Sequence, residues 1–281
     1  MKKQLITQAL LLSFITVGLF AYSQEAVQLK YNFVKGKTYV LSTQVENTII
    51  QSMGGQEMKM ETEITATNGM KIEDVDKDGN ATTLITFIST KVHSVGMGQD
   101  TTMTVNGSDE QKRVVFAQTG RKISEVKLGD PGKGINIGSA DQFSKFITLP
   151  ANVIKTGDKW NDKTVDTIEA SQQNPVNINT TSEMAYLFAG KEQKDGVEYL
   201  KITYTGVLAI TGKGNQMGMD LFLEGTGKTE GFSYFDPKTS MVVYSEGNTE
   251  LDMTVAVAGQ QNMTMPMTQR MKTISKFEEK K

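Results

Sequence analysis

Apolar and polar residues alternate along most of the chain with a period of two. Apolar side chains occupy every second position of residues 27–33, and similar runs cover residues 200–204 and 217–223. Successive side chains of a β-strand point to opposite faces of a sheet, so this pattern predicts strands with one buried face. Thr, Val and Ile are frequent in these runs, as is typical of pleated surfaces.

Short turn signals separate the runs. Asp78-Gly79 and Asp195-Gly196 are dipeptides that favour tight hairpins between antiparallel strands. The chain has only 5 prolines, so strand pairing is rarely interrupted. We therefore predict an all-β protein whose antiparallel strands form one long curved sheet or an open barrel.

One segment departs from the period of two. Residues 139–142 read Ser-Ala-Asp-Gln, the form of a helix capping box. Apolar residues at helical spacing follow, and Pro150 marks a stop, so we predict a short helix at residues 139–147. Because the Gly-rich stretch 129–138 precedes it, residues 139–150 are the expected link between two parts of the chain.

The two parts on either side of this link are related in sequence. Three blocks match in the same order, and they begin at these pairs of positions: Gly36 and Gly157, Lys77 and Lys194, Phe116 and Phe235. Matches in a fixed order at a nearly constant offset indicate duplication of one unit. We predict a first β half at residues 24–138 and a second at residues 151–281.

The N-terminus has the pattern of a secretory signal peptide. Lys2 and Lys3 precede a mostly apolar run at residues 10–21, and Ala21-Tyr22-Ser23 supplies small residues at a cleavage site. A membrane anchor is the alternative, but the run is shorter than the ~20 apolar residues that a spanning helix needs. We expect cleavage after residue 23, no transmembrane segment in the mature chain, and a periplasmic or extracellular location.

These features together resemble an uncharacterised family of exported proteins from Bacteroidota. The resemblance rests on the signal peptide, the opening at residues 35–39, the link at residues 149–160 and four hairpins that combine glycine, glutamine and methionine, at residues 55–60, 98–103, 214–219 and 259–265. It covers essentially the mature chain. The family has no assigned activity, so the resemblance implies export and the repeat and transfers no catalytic residues.

Composition narrows the classes of function. The formal net charge is -2, which lacks the basic surplus that nucleic-acid binding requires. The chain has no cysteine and one histidine, so a lipid anchor on cysteine, disulfides, thiolate sites and multi-histidine metal sites are all excluded. We expect no cofactor and no metal site.

Isolated motifs that resemble functional sites are better explained by structure. Residues 74–79 resemble the start of a calcium loop, but Ile85 at the twelfth position cannot coordinate, so we interpret the segment as a hairpin turn. His93 stands in a strand pattern, and no Gly-x-Ser-x-Gly motif accompanies it. Trp160 takes the place of Tyr39 in the repeat, which favours a core position. We expect no catalytic residues and a protein that is not an enzyme.

The 16 methionines are the unusual feature of the composition, and they cluster in four polar Gly-Gln hairpins. The candidate ligand-binding residues are Met58, Met60, Met103, Met217, Met219, Met263 and Met265. Thioethers adapt to ligands of varied shape and also bind Cu(I), whereas ordinary core filling is the structural alternative.

Two non-catalytic functions therefore stand as hypotheses. The first is binding of an apolar or amphiphilic small molecule on the methionine-bearing face. The second is a structural or protein-interaction module of the cell envelope, with the methionines in the core. The direction of the methionine side chains distinguishes them, because an exposed methionine face favours the first hypothesis and a sealed core the second.

Overall fold

A computed structural model describes residues 25–53, 55–107, 111–128, 146–170, 175–216, 218–259 and 262–280. Within these ranges the chain forms twelve β-strands: β1 (Thr38–Met53), β2 (Gln56–Val75), β3 (Ala81–Gly96), β4 (Gln99–Asn106), β5 (Gln111–Phe116), β6 (Lys122–Leu128), β7 (Lys159–Ile168), β8 (Val176–Lys194), β9 (Val197–Gln216), β10 (Met219–Asp236), β11 (Met241–Ala258) and β12 (Met263–Glu279). No helix in the described ranges is long and apolar enough to cross a membrane.

All twelve strands belong to one antiparallel sheet in the order β6-β5-β3-β2-β1-β12-β11-β10-β9-β8-β7, with β4 also paired to β3. β1 lies in the middle of the sheet, the strands that follow it lead outward to β6, and the strands from β7 to β12 lead back to the middle. The pairing of β1 with β12 joins the two runs. The edge strands β6 and β7 are not hydrogen-bonded to each other, so the sheet is open.

The buried core lies on one face of this sheet and at one end of its strands. Residues before β1 and before β7 pack into it, because the ring of Tyr31 is fully buried and lies 4.7 Å from the ring of Phe146. Phe146 also contacts Phe116 of β5 and Phe277 of β12, at ring-centroid distances of 4.9 Å and 5.8 Å. The sheet therefore curves around these two segments. We call this surface the core face and this end the closed end.

Polar contacts draw the two edges together at the closed end. Arg121, just before β6, donates from Nη2 to Oδ1 of Asp162 in β7 at 2.6 Å. Thr148 lies between the edges, where its hydroxyl donates to Asp162 at 2.7 Å and its carbonyl accepts from Trp160 Nε1 at 2.8 Å. Leu149 donates from its backbone to the carbonyl of Thr119 at 2.8 Å. At this end the open sheet is thus bridged by side chains and a connecting segment.

The predicted fold class, an all-β curved antiparallel sheet, is confirmed by this topology. The predicted helix at residues 139–147 falls mostly outside the described residues, and Phe146 and Ile147 lie outside any helix or strand. The predicted signal peptide also lies outside them. Asp78-Gly79 joins β2 to β3 and Asp195-Gly196 joins β8 to β9, in each case the second connection of its half. Duplication of the halves stays a prediction.

Candidate functional site

Beyond the core, the core face continues to the opposite end of the strands. That end carries the connections between β1 and β2, β3 and β4, β9 and β10, and β11 and β12, and we call it the open end. Directly paired residues of neighbouring strands lie on the same face, so the register identifies the core face there. Phe277 and Met265 share it, because their positions in β12 differ by an even number and β12 pairs without a bulge.

Four cross-strand rows of β9–β12 form the core face near the open end. From the core outward the rows are Leu208-Gly227-Leu251-Gln269, Ile210-Gly225-Met253-Met267, Gly212-Leu223-Val255-Met265 and Gly214-Leu221-Val257-Met263. Four positions are glycine, one is glutamine, and the other eleven are apolar. We call these eleven apolar residues the open-end patch. It measures about 20 Å along the strands and about 14 Å across them.

The glycines let neighbouring side chains lie flat across the sheet. A Cβ added to Gly227 would lie 2.2 Å from Cδ2 of Leu251, and one added to Gly225 would lie 2.4 Å from Cγ of Met253. Leu251 and Met253 are buried for this reason, at 5% and 8% exposure. The remaining nine residues of the open-end patch are partly or largely exposed. The patch is therefore a shallow apolar surface without a cover among the described residues.

The methionines predicted from the sequence lie at this same end. Met58, Met60 and Met103 extend the core face across β2 and β4, and Met219, Met263 and Met265 do so across β10 and β12. Four of them are more than a third exposed: Met60, Met103, Met219 and Met263. Met217 lies outside the described residues. That any of them binds a ligand stays a prediction.

Sequence reasoning based on methionine missed most of the open-end patch. Seven of its eleven residues are Leu, Ile or Val of β9–β11. A signal for them was present in the sequence, because leucine, isoleucine and glycine share one parity in residues 206–214 and in residues 221–231. Such spacing indicates a strand face on which glycine leaves room for a neighbour.

A cavity of about 1280 Å³ lies on the opposite face of the sheet. Its walls are two complete cross-strand rows, and its floor is the backbone between them. The inner wall is Glu46-Lys272-Asn248-Glu230-Thr205-Ala185-Asn161, and the outer wall is Thr48-Arg270-Glu250-Lys228-Val207-Glu183-Lys163. We call it the charged groove.

Charges of opposite sign alternate in the charged groove and pair with one another. Arg270 donates to Glu250 at 2.9 Å and Lys163 to Glu183 at 2.7 Å, and all four side chains are more than half exposed. Exposed pairs of this kind contribute about 0–1 kcal/mol each. The groove is therefore a solvated polar channel whose charges are largely neutralised.

An aromatic cluster near the closed end also lies on the opposite face. Tyr234 donates to Glu192 at 2.5 Å, and Tyr244 donates to Glu246 at 2.8 Å. Lys194 Nζ lies 4.2 Å from the ring centroid of Tyr244. Loss of solvation, followed by the nearby carboxylates, raises the pKa of both tyrosines to about 12. The Lys194 ammonium group lies over both rings, and cation–π contacts of this kind stabilise the packing of neighbouring strands.

The isolated motifs that resembled functional sites in the sequence have structural roles. Asp76 accepts hydrogen bonds from the backbone of Asp78 and of Asn80, at 2.9 Å each, which confirms a hairpin turn. His93 lies in β3, with Nε2 2.9 Å from Oδ1 of Asp100. Trp160 stacks on Tyr186 at 5.3 Å and packs against the core, as expected. In the described ranges no three His, Asp or Glu side chains are placed to hold a metal ion.

Comparison with known proteins gives only distant similarities. No family model matches the chain, and no curated protein matches it. An outer membrane channel from Pseudomonas putida F1 is 7% identical over 87% of this chain and 96% of its own, with a TM-score of 0.26. The OccK2 protein of Pseudomonas aeruginosa in complex with glucuronate is 7% identical over 86% and 98%, with a TM-score of 0.22.

A DUF1329 family protein from Desulfovibrio piger is 11% identical over 85% of this chain and 83% of its own, with a TM-score of 0.15. At such low scores none of these similarities supports an argument about function. The functional conclusion therefore rests on the surfaces of the chain itself.

Proposed function

We propose that this chain is an exported, non-catalytic binding protein that holds an apolar or amphiphilic ligand on the open-end patch. One observation supports the proposal above all others. The same sheet face that is covered by Tyr31 and Phe146 at the closed end continues as an apolar surface at the open end, where no described residue covers it. Contiguous exposed apolar patches on soluble proteins mark interaction or ligand-binding surfaces.

The chemistry of the patch supports binding without catalysis. Its side chains are those of Leu, Ile, Val and Met, which supply no acid, base or nucleophile. Its length of about 20 Å exceeds half of the ~30 Å hydrocarbon thickness of a bilayer, so it accommodates one extended acyl chain. Flexible methionines at its margin, such as Met263 and Met265, suit apolar groups of varied shape.

A charge placed in the patch provides the test. We expect the wild-type protein to bind the apolar dye N-phenyl-1-naphthylamine with increased fluorescence. Val255→Lys puts an ammonium group within the patch and is expected to weaken binding at least tenfold. Thr254→Lys is the matched control, since its side chain lies on the opposite face of the same strand.

Two results would contradict the proposal. One is a wild-type protein that does not bind the dye. The other is equal loss of binding in Val255→Lys and Thr254→Lys at unchanged melting temperature. Mass spectrometry of an organic extract of the purified protein gives an independent readout, because a bound amphiphile is expected to co-purify.

A second candidate function, protein interaction, is favoured by the charged groove. Its alternating walls extend across seven strands and suit a partner surface of complementary alternating charge. Reversal of two central charges, Lys228→Glu and Arg270→Glu, is expected to abolish such an interaction and to leave dye binding intact. Cross-linking of the native envelope with wild-type and doubly substituted protein distinguishes the two functions.

A further inference from the structure

The strand connections at the two ends of the sheet differ in charge. At the closed end, four turns each contain a charged residue: Asp78, Arg121, Asp195 and Lys238. At the open end, four connections consist only of glycine, methionine, glutamine and asparagine: residues 54–55, 97–98, 217–218 and 259–262. The fifth connection there, between β7 and β8, carries Glu169. Most of the hairpin tips at the open end are therefore uncharged.

Met97 is the most exposed large apolar side chain in the described ranges, at 73%. It lies at the tip between β3 and β4, where Gly96 pairs with Gln99 across a two-residue turn. Its φ is 51° and that of Gly98 is 74°, which is the backbone of a type I′ turn. Methionine is unfavourable at this position, because a side chain disfavours positive φ and only Gly, Asn and Asp adopt it readily.

The turn between β8 and β9, at the closed end, has the same backbone with a favourable residue. Asp195 and Gly196 have φ values of 51° and 77° between the paired residues Lys194 and Val197. The chain thus uses Asp-Gly at the closed end and Met-Gly at the open end, and the sequence repeats Met-Gly at residues 217–218, between β9 and β10. An apolar side chain is therefore held in water at a backbone cost that the fold itself does not require, which indicates a function for it.

Two further methionines extend the open-end patch to the ends of its strands. Met263 ends the last row of the patch and is 44% exposed. Met219 lies on the core face of β10, two residues beyond Leu221, and is 39% exposed. It leans against the next hairpin tip, since a Cβ added to Gly259 would lie 3.1 Å from Cγ of Met219. The apolar surface is thus continuous from the patch to the tips, and we call Met97, Met219 and Met263 the methionine rim.

From these observations we infer that the methionine rim docks on a lipid surface. The thioethers enter the outer part of the acyl region, and the glycine and amide groups of the tips lie among the headgroups. Three carboxylates that follow the tips lie on the opposite face of their strands and remain in water: Glu57, Asp100 and Asp220. The inference goes beyond the proposed function, because it names the surface at which the ligand enters or leaves the patch.

A lipid surface matches these features, whereas a protein partner does not. Protein interfaces concentrate their affinity in aromatic and arginine anchors, and the four uncharged tips contain neither. Separate, flexible thioethers suit a fluid apolar phase, to which binding increases with the apolar area buried. These tips also contain no basic residue, so docking needs no anionic lipid. Because the rim continues into the patch, an acyl chain passes from the bilayer to the protein without entering water.

Flotation with phosphatidylcholine vesicles tests the inference. We expect the wild-type protein to float with the vesicles. Met97→Asn removes the thioether and supplies a residue that adopts positive φ, so we expect it to lower the partition coefficient at least threefold while raising the melting temperature. The double variant Met97→Asn, Met219→Asn is expected to lower the partition coefficient at least tenfold. Val153→Asn is the matched control and is expected to float like the wild type, because Val153 is 58% exposed in the segment before β7.

Failure of the inference differs from failure of the proposed function, which appears as absence of dye binding in a solution without vesicles. A wild-type protein that binds the dye but does not float would overturn the inference alone. Unchanged flotation of Met97→Asn, equal losses in Met97→Asn and Val153→Asn, or a lower melting temperature of Met97→Asn would also overturn it. Cross-links to an envelope protein that disappear in Met97→Asn, without flotation of the wild type, would assign the rim to a protein partner instead.

Discussion

The two ends of the core face are built from the same strands yet differ in what covers them. At the closed end, Tyr31, Phe33 and Phe146 fill the curve of the sheet, and residues from both halves of the chain contact them. At the open end, apolar residues of the same parity lie beside one another and the glycines, and no described residue covers them. The difference shows that an apolar strand face becomes core only where another segment covers it.

The two ends are expected to serve different purposes: side chains at the closed end stabilise the fold, and side chains at the open end bind the ligand. Side chains at the closed end are surrounded on all sides, so their removal leaves cavities that cost stability. Side chains of the open-end patch are partly hydrated already, so their removal costs less and is expected to change ligand affinity instead. Each of the predictions below tests or sharpens this division.

Removal of the central ring of the closed end is expected to have the largest effect. Tyr31 is fully buried, and its hydroxyl donates to the carbonyl of Ile147 at 3.1 Å. Tyr31→Ala is expected to lower the free energy of unfolding by about 3–5 kcal/mol, as for other large aromatic truncations. Urea denaturation measures this change. A loss below about 1 kcal/mol would show that the segment before β1 does not hold the closed end together.

A matched pair of methionines compares the two ends directly. Met241 is 1% exposed in the core, and Met241→Ala is expected to cost about 2–5 kcal/mol. Met265 is partly exposed in the open-end patch, and Met265→Ala is expected to cost about 1 kcal/mol, because only part of its transfer free energy is gained on folding. Equal losses of stability would contradict an uncovered patch and favour a sealed core.

The glycines of the open-end patch provide a third test. Gly227→Val would place Cβ 2.2 Å from Leu251 and 2.5 Å from the carbonyl of Glu250, so we expect a loss of about 1–3 kcal/mol together with weaker dye binding. Gly69→Ala is the control in the first half, since its Cβ would meet Ile88 at an ordinary 3.5 Å. Thermal denaturation of the two variants should therefore differ, and equal melting temperatures would contradict the close approach at Gly227.

Alkaline pH is expected to weaken the closed end selectively. Burial raises the pKa of Tyr31 well above its usual value near 10, and burial raises the pKa of Tyr186 to about 12. Because the unfolded chain loses these protons first, stability is unaffected below about pH 10 and is lost as the pH rises beyond it. The urea midpoint at pH 7 and pH 11 measures this loss.

Tyr31→Phe isolates the contribution of one of these phenols. This variant lacks the hydrogen bond to Ile147 and is expected to be slightly less stable than the wild type at pH 7. Between pH 7 and pH 11 it is expected to lose less stability than the wild type. An identical loss in both proteins would contradict the assignment of alkaline sensitivity to Tyr31.

The sequence predicts the sheet face on which a site residue lies, but it does not predict its neighbours on the adjacent strands. The parity of Met263 and Met265 follows from strand periodicity, and the structure places both on the core face. Their neighbours Leu223 and Val255 were not identified, because cross-strand pairing depends on register between strands. Local patterns do not encode register when several strands have similar length and alternation.

By itself, the sequence determined that this chain forms antiparallel strands with one apolar face, because side-chain direction alternates within each strand and needs no distant contact. Only the tertiary structure decided which part of that face is core. Burial at Tyr31 depends on segments before β1 and before β7 that meet the curved sheet at one end. Alternation assigns a side chain to a face, whereas long-range packing determines whether water or protein covers it.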